Sequence, residues 1–391
     1  MIDHITLKAL VRPFIPGAPS QFDQVAILRN SAIKTVPTTS YLNSPVTGAQ
    51  IEILPSVEDV GGAPWQFLTM TIPVAATLAG QNMVHNGLDA LPHELKCIRA
   101  LVKWVLRSYQ FTQEETALFL KNTIVQTVEF TWHIVTASRR ATLNAQARTI
   151  AHFDALEKIK GRHDVLVKDV DIWCRNGKTC MLVTFKDGSQ FRQYIKAEQA
   201  TSRTKNNRRA CFVSKKMRPH LPVILGAIDA HLRNEVILSA SFLAERGLLH
   251  PKSWNVEAIE SAIVAVMEMG RLNQRRVLKS SDLVRDGLSP EVLKTVERYF
   301  SGEPMADSLS PQVFSKHRKL LLPRNIDIAD ERSNSVSRGG MQLQFAKRWV
   351  PGDELSKLAI CEDSANAIFE FLTCAPVDLH GAHFPDTDAA L

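Results

Sequence analysis

Two tight-turn signals close together constrain this chain more than anything else in it. Asn176-Gly177 lies between the β-branched and apolar runs Val165–Cys174 and Thr179–Phe185, and Asp187-Gly188 turns the chain again into Phe191–Lys196. Asn-Gly and Asp-Gly tolerate the positive φ angles that short hairpin turns demand. Residues 165–197 therefore read as a three-stranded antiparallel meander. Side chains alternate faces along a strand. Arg192, Tyr194 and Lys196 then share one face of the third strand, and Phe191, Gln193 and Ile195 share the other. A phenol between two cations suits a group that attacks a phosphate. The cations would hold the anionic phosphodiester and stabilise the phenolate. The competing reading is a half-buried tyrosine whose cationic neighbours lay their stems along apolar surface.

The flanking sequence mixes strands and helices. Residues 1–60 are rich in strand and loop signals, and residues 66–74 alternate like a strand. Leu95, Ile98, Leu101, Val102, Val105 and Tyr109 fall at spacings of three and four, which marks 93–109 as an amphipathic helix and puts Tyr109 in the core. Thr112 and Glu115 fit a capping box that opens a further helix. Val125–Val135 is a predicted strand, 140–160 a helix, 221–230 a helix, 231–238 a strand, 239–247 a helix ending near Gly247, and 255–270 an amphipathic helix. Residues 271–350 read as helical and basic, with a Ser/Gly-rich stretch from Ser333 to Gly340 expected to be mobile. The tail from Val377 carries Asp and His with little periodicity. The fold class is α+β. An antiparallel sheet with flanking helices is expected over 1–250, followed by a mostly helical C-terminal domain over 251–391.

The placement of charge says more than its total. The chain carries 47 Lys and Arg against 40 Asp and Glu, a formal net charge of +7. Arg203, Lys205, Arg208, Arg209, Lys215, Lys216 and Arg218 lie in one stretch without an acid, and these seven match the whole excess. A polyanionic partner is the natural inference, against a basic loop that is merely solvated. Cysteines 97, 174, 180, 211, 361 and 374 form no CxxC pair, so neither a disulfide framework nor a zinc site is indicated, and a reducing cytoplasm fits. No secretory signal is read at Met1-Ile2-Asp3-His4, and no apolar run approaches the ~20 residues that span a bilayer.

Three strands carry polar groups where packing alone prefers apolar ones. Thr127, Glu129, Thr131 and His133 share a face of the first; Tyr194 lies on the second; His231, Arg233 and Glu235 share a face of the third. In one sheet, Glu129 and Glu235 could converge beside Tyr194 and hold Mg2+ or Mn2+. His133 is a candidate third ligand, although four strand steps of ~3.3 Å separate it from Glu129. The alternative for both glutamates is cross-strand pairing with Arg192 or Arg233. The sequence has no GxxxxGK[ST], GxSxG or HExxH motif and no His-hydrophobic-His pair; His380-Gly-Ala-His383 has another spacing.

Several segments, in order, resemble the replication initiators of filamentous phages, the gene II/gene X family. They are Met1-Ile2-Asp3, Leu78-Ala79-Gly80-Gln81-Asn82 with Gly87-Leu88-Asp89, Glu129, Tyr194-Ile195-Lys196, and Arg233-Asn234-Glu235 with Phe242–Leu248. Phe314–Leu320 and Arg348-Trp349-Val350-Pro351 follow farther on. The likeness covers most of the chain. It departs at Glu129, where the family strand usually carries Asp, and at Thr127, where Arg is usual. The family implies a rolling-circle initiator that nicks one strand of a double-stranded replicative form. Plasmid initiators of the transesterifying type, in which the tyrosine joins the 5′ phosphate, are similar in the same pattern.

The resemblance and the residues together lead to one expectation. Tyr194 attacks the scissile phosphate, Mg2+ or Mn2+ sits on Glu129 and Glu235 with His133 as a further candidate, and Lys196 and Arg192 position the phosphate. Arg233 and the cations of 203–218 grip double- and single-stranded origin DNA. A host helicase and polymerase would unwind and extend it in the bacterial host cytoplasm, with no membrane partner. The rival expectations are a non-catalytic origin-binding or regulatory protein and a metal nuclease that uses water.

Overall fold

The computed structural model describes residues 2–13, 23–27, 33–37, 39–135, 139–161, 163, 165–175, 178–201, 212–229, 231–272, 288–300, 305–322, 328–329, 358–360, 362–374 and 382–383. The chain is α+β, built on one large antiparallel sheet. Its strands are β1 (Ile2–Pro13), β4 (Ser40–Asn43), β5 (Gln50–Val60), β6 (Ala63–Pro73), β7 (Ile124–Val135), β8 (Val167–Arg175), β9 (Lys178–Phe185), β10 (Gln190–Tyr194) and β11 (His231–Ser239). They lie side by side in the order β4-β5-β6-β1-β7-β11-β10-β9-β8, and the two-residue β12 (Ala382–His383) pairs at the β4 edge. The strands β2 (Asp23–Ile27) and β3 (Ile33–Pro37) form a separate hairpin.

The expected meander is present as β8-β9-β10. Its second turn is closed by Gly188 at φ 81°, with Asp187 Oδ1 accepting from Ser189 N and Oγ. Asn176-Gly177 lies outside the described residues. The third strand is shorter than expected. It ends at Tyr194, and Lys196 opens the helix α5 (Lys196–Thr201).

Helices cover the sheet where its strands are apolar. They are α1 (Val74–Ala79), α2 (Leu91–Ser108), α3 (Gln113–Asn122), α4 (Arg139–Glu157), α6 (Leu221–Ile228), α7 (Ala240–Glu245) and α8 (Val256–Met269). The α2 positions read from the sequence, among them Ile98, Leu101, Val102 and Val105, are buried in one core with Ile5, Leu7, Leu68, Met70, Ile72 and Phe130 of the sheet. Tyr109 is buried there, its hydroxyl 2.8 Å from Ser40 Oγ. Thr112 and Glu115 form the capping box of α3. Burying apolar area of this kind is worth ~25 cal/mol per Å2 and is the main force holding helices to the sheet.

The packing runs across the boundary expected at residue 250. Ile259, Ile263 and Val266 of α8 belong to the same core, as do Ile360 and the Ala365 and Leu372 of α12 (Glu362–Cys374). Arg107 of α2 donates to the Leu372 and Thr373 carbonyls, and Cys97 Sγ to that of Ala365. The helices α9 (Pro290–Phe300), α10 (Met305–Ser308) and α11 (Pro311–Leu321) bury Val292, Val296, Tyr299, Met305 and Leu321 in a cluster of their own. Ser333–Gly340 lies outside the described residues, as does the tail from Val377 apart from β12. Among the described residues no helix is long and apolar enough to cross a membrane.

Candidate functional site

The site begins with β11, a strand buried on both faces. One face carries Leu232, Val236 and Leu238, while the other carries His231, Arg233 and Glu235, all of them buried. A buried arginine and a buried glutamate are costly unless each is paired and hydrogen-bonded. Neighbouring strands supply the partners. In the cross-strand register Tyr194 faces Arg233 and Arg192 faces Glu235 on one side, while His133 faces Arg233 and Thr131 faces Glu235 on the other. The pairing alternative for Glu235 is thus realised.

Glu235 Oε1 accepts from the Tyr194 hydroxyl at 2.5 Å and from Arg233 Nε at 2.6 Å, and Glu235 Oε2 accepts from Arg192 Nη1 at 2.8 Å. Arg233 also donates to Asp3 Oδ2 at 2.5 Å, to Thr131 Oγ1 at 3.4 Å and to the Asn82 carbonyl at 2.5 Å. Two cations lie over the Tyr194 ring, Arg233 Cζ 5.6 Å and Lys196 Nζ 5.7 Å from its centroid. Lys196 therefore reaches the phenol from a helix rather than from the strand face.

Glu129 sits at the rim, with its Oε2 3.7 Å from Arg192 Nη1 and 3.9 Å from His4 Nδ1. Arg192 consequently bridges the two glutamates that were expected to share an ion. His133 is not with them. It lies among rings, its centroid 6.2 Å from His85 and 5.7 Å from His231. The residues that join Glu129 are Asp3 and His4. One ligand atom from each of the three falls within 4.8 Å of the other two. A register shift between Ile2 and His4 breaks the strand alternation and lets both side chains face the cluster. Sequence reasoning missed both. The signal available was an acid and a histidine, adjacent at the head of a strand whose later residues alternate between apolar and polar.

Charge states follow from burial and neighbours. Burial would raise both Glu235 and Asp3, but the cations beside them prevail and hold each below the ordinary carboxylate range. For Glu235 these are Arg233 and Arg192; for Asp3 they are Arg233 and His4. Burial, joined by Glu235, Asp3 and Glu129, pushes the Tyr194 phenol well above 10 despite Arg233. The expected stabilisation of the phenolate by cations is thus outweighed in the resting structure, first by burial of the phenol and then by the carboxylates around it. Burial lowers His133, helped by Arg233 and His231, and brings His231 to about 4.

Glu129 is raised from 4.5 to about 8, first by burial and then by Glu235 and Asp3. The folded protein therefore keeps a proton that the unfolded chain has released, and stability falls as pH rises from 4.5 through about 8. Burial opposes a charge on His4, but Asp3 and Glu129 raise it from 6.5 to about 9, so it acts in the same direction at higher pH. Glu129→Gln is expected to flatten the fall. Thermal unfolding midpoints across this range check it, and an unchanged slope would remove Glu129 as its source.

Of the basic stretch, Lys215, Lys216 and Arg218 are exposed, and Arg203, Lys205, Arg208 and Arg209 lie outside the described residues. No protein-family model, curated protein or solved structure matches this chain.

Proposed function

We propose that this chain is a rolling-circle replication initiator in which Tyr194 nicks one DNA strand by transesterification and later rejoins it. The observation that carries this reading is the 2.5 Å hydrogen bond from the Tyr194 hydroxyl to Glu235, set among Arg192, Arg233, Lys196, Asp3 and Glu129. Glu235 is a carboxylate held ionised and already touching the proton that must leave. Arg192, with its side chain 32% exposed, is the cation at the rim. An incoming phosphodiester competes for its guanidinium. As Arg192 turns from Glu235 toward the phosphate, Glu235 loses a stabilising charge and becomes more basic. The phenol proton passes to Glu235, the tyrosine oxygen bonds to phosphorus, and the 3′ oxygen departs and takes a proton from water. Arg233 and Lys196 offset the charge that develops on the phenol oxygen. One phosphodiester is exchanged for another, so a later 3′ hydroxyl can reverse the step and close the circle.

The donor set fits a hard divalent cation, Mg2+ or Mn2+. Asp3 Oδ1 is buried without a hydrogen-bond partner, and Asp3, His4 and Glu129 would hold the ion. Such an ion would polarise a phosphoryl oxygen and offset transition-state charge. Glu235, whose oxygens are taken by Tyr194, Arg233 and Arg192, serves as base instead. Lys215, Lys216 and Arg218 would contact DNA through phosphates. With no ATPase loop in the sequence, unwinding falls to a host helicase and synthesis to a host polymerase.

The test is adduct trapping. The chain is incubated with Mn2+ and a supercoiled plasmid bearing the origin of the genome that encodes it, labelled downstream of the nick, and then denatured. Label is expected to co-migrate with protein. Nicking without an adduct assigns a water-using nuclease, and binding without nicking assigns a regulatory protein.

A further inference from the structure

The turn over residues 80–86 touches the basic stretch on one side and the tyrosine cluster on the other. Gly80 is left-handed at φ 76°, and a β-carbon there would lie 2.5 Å from Ser214 Oγ. Only glycine allows so close an approach. Ser214 N donates to the Gly80 carbonyl at 2.8 Å, Gln81 and Val213 form an isolated antiparallel bridge, and Phe212 N donates to Asn82 Oδ1 at 3.1 Å. These contacts seat residues 212–214 immediately before the exposed Lys215 and Lys216. The Gln81 side chain keeps the turn closed, its Oε1 accepting from Met83 N at 2.6 Å and Val84 N at 2.8 Å.

The other end of the same residue reaches the cluster. The Asn82 carbonyl accepts from Arg233 Nη1 at 2.5 Å. The other acceptors of Arg233, on Glu235, Asp3 and Thr131, belong to strands β11, β1 and β7, which the sheet holds in register. Asn82 is the anchor that stands on a loop, and so it is the one that can shift without unzipping the sheet. Arg233 in turn lies against the Tyr194 ring.

We infer that Asn82 is a positioning residue for the tyrosine chemistry. Its side chain follows residues 212–214 while its carbonyl fixes Arg233 against Tyr194, so a nucleic-acid backbone on the basic stretch is registered at the phenol. The inference deepens the nicking proposal and rests on Tyr194 being the reacting group.

The test reads Tyr194 directly and does not require cleavage. Full-length protein is labelled with 3-fluorotyrosine, and the Tyr194 fluorine resonance is assigned by its loss in Tyr194→Phe. A short mixed-sequence single-stranded deoxyoligonucleotide is the probe. In the unaltered chain the probe is expected to shift this resonance. In Asn82→Ala the resonance should start displaced and lose its response to the probe, while exchange of the 212–214 amides quickens by about threefold to tenfold. Asn82→Asp keeps the acceptor and should restore both. If Asn82→Ala fails to fold, Gly80→Ala displaces Ser214 without touching Asn82 and should displace the same resonance. A merely structural Asn82 would quicken exchange and leave the Tyr194 resonance and its response unchanged; that result overturns the inference. Nicking that survives Tyr194→Phe overturns the functional reading, and the resonance data separate the two failures.

Discussion

Replacing Tyr194 with phenylalanine is expected to lower nicking by about 10^4-fold or more while leaving DNA binding in place. The ring keeps its volume and its place beside Arg233 and Lys196, so packing is conserved. What is lost is the hydroxyl that donates to Glu235. Glu235 retains Arg233 and Arg192 as partners, so the missing hydrogen bond should cost only about 1 kcal/mol of stability. A large kinetic effect with a small thermodynamic one is the signature of a nucleophile. Of the other tyrosines, Tyr109 is committed to Ser40 and Tyr299 is buried in the 288–328 cluster. Conversion of supercoiled plasmid to open circle gives the rate, and fluorescence anisotropy with labelled origin DNA gives the affinity. A variant that still nicks at the parental rate would remove Tyr194 from the mechanism.

Arg233→Met is expected to be the most destabilising single change in the site, by about 3–5 kcal/mol. Methionine matches much of the arginine's length, so the cost is not mainly a cavity. It comes from leaving Glu235 and Asp3, both buried and both ionised through this cation, without their principal counter-charge. The Asn82 carbonyl also loses its donor. Asp3 and Glu235 then rise toward protonation, so the variant should recover part of its stability as pH falls. Urea unfolding midpoints at neutral and mildly acidic pH measure both effects. A midpoint within error of the parent at neutral pH would mean that the acids are solvated rather than dependent on Arg233.

Much of this site could be read from alternation alone. The faces of β7, β10 and β11 follow from a period of two, and they bring Tyr194, Arg192, Arg233 and Glu235 together once the strands are adjacent. Asp3 and His4 escaped because a register shift, which no periodicity predicts, turns both toward Glu129. Lys196 was assigned to a strand face, but the strand stops at Tyr194, where the chain enters α5. The direction of the tyrosine shift was also missed. Counting cations beside a phenol ignores the burial of the ring, the largest cause of the shift, and the carboxylates that join it, of which Asp3 is 191 positions away in the chain (194 − 3). Packing across residue 250 was illegible for a related reason: α12 returns to α2 through carbonyl contacts that leave no pattern in the sequence.

The strand order has a consequence for synthesis on the ribosome. β1 lies between β6 and β7, and β7 pairs in turn with β11. Asp3 on β1 therefore waits for its ion-pair partner Arg233, made 230 codons later. Contacts so distant in sequence make folding slow, because loop closure must precede any reward. A nascent chain halted before β11 lacks Arg233 and Glu235, so Tyr194 and Asp3 stand without the partners that assemble the cluster.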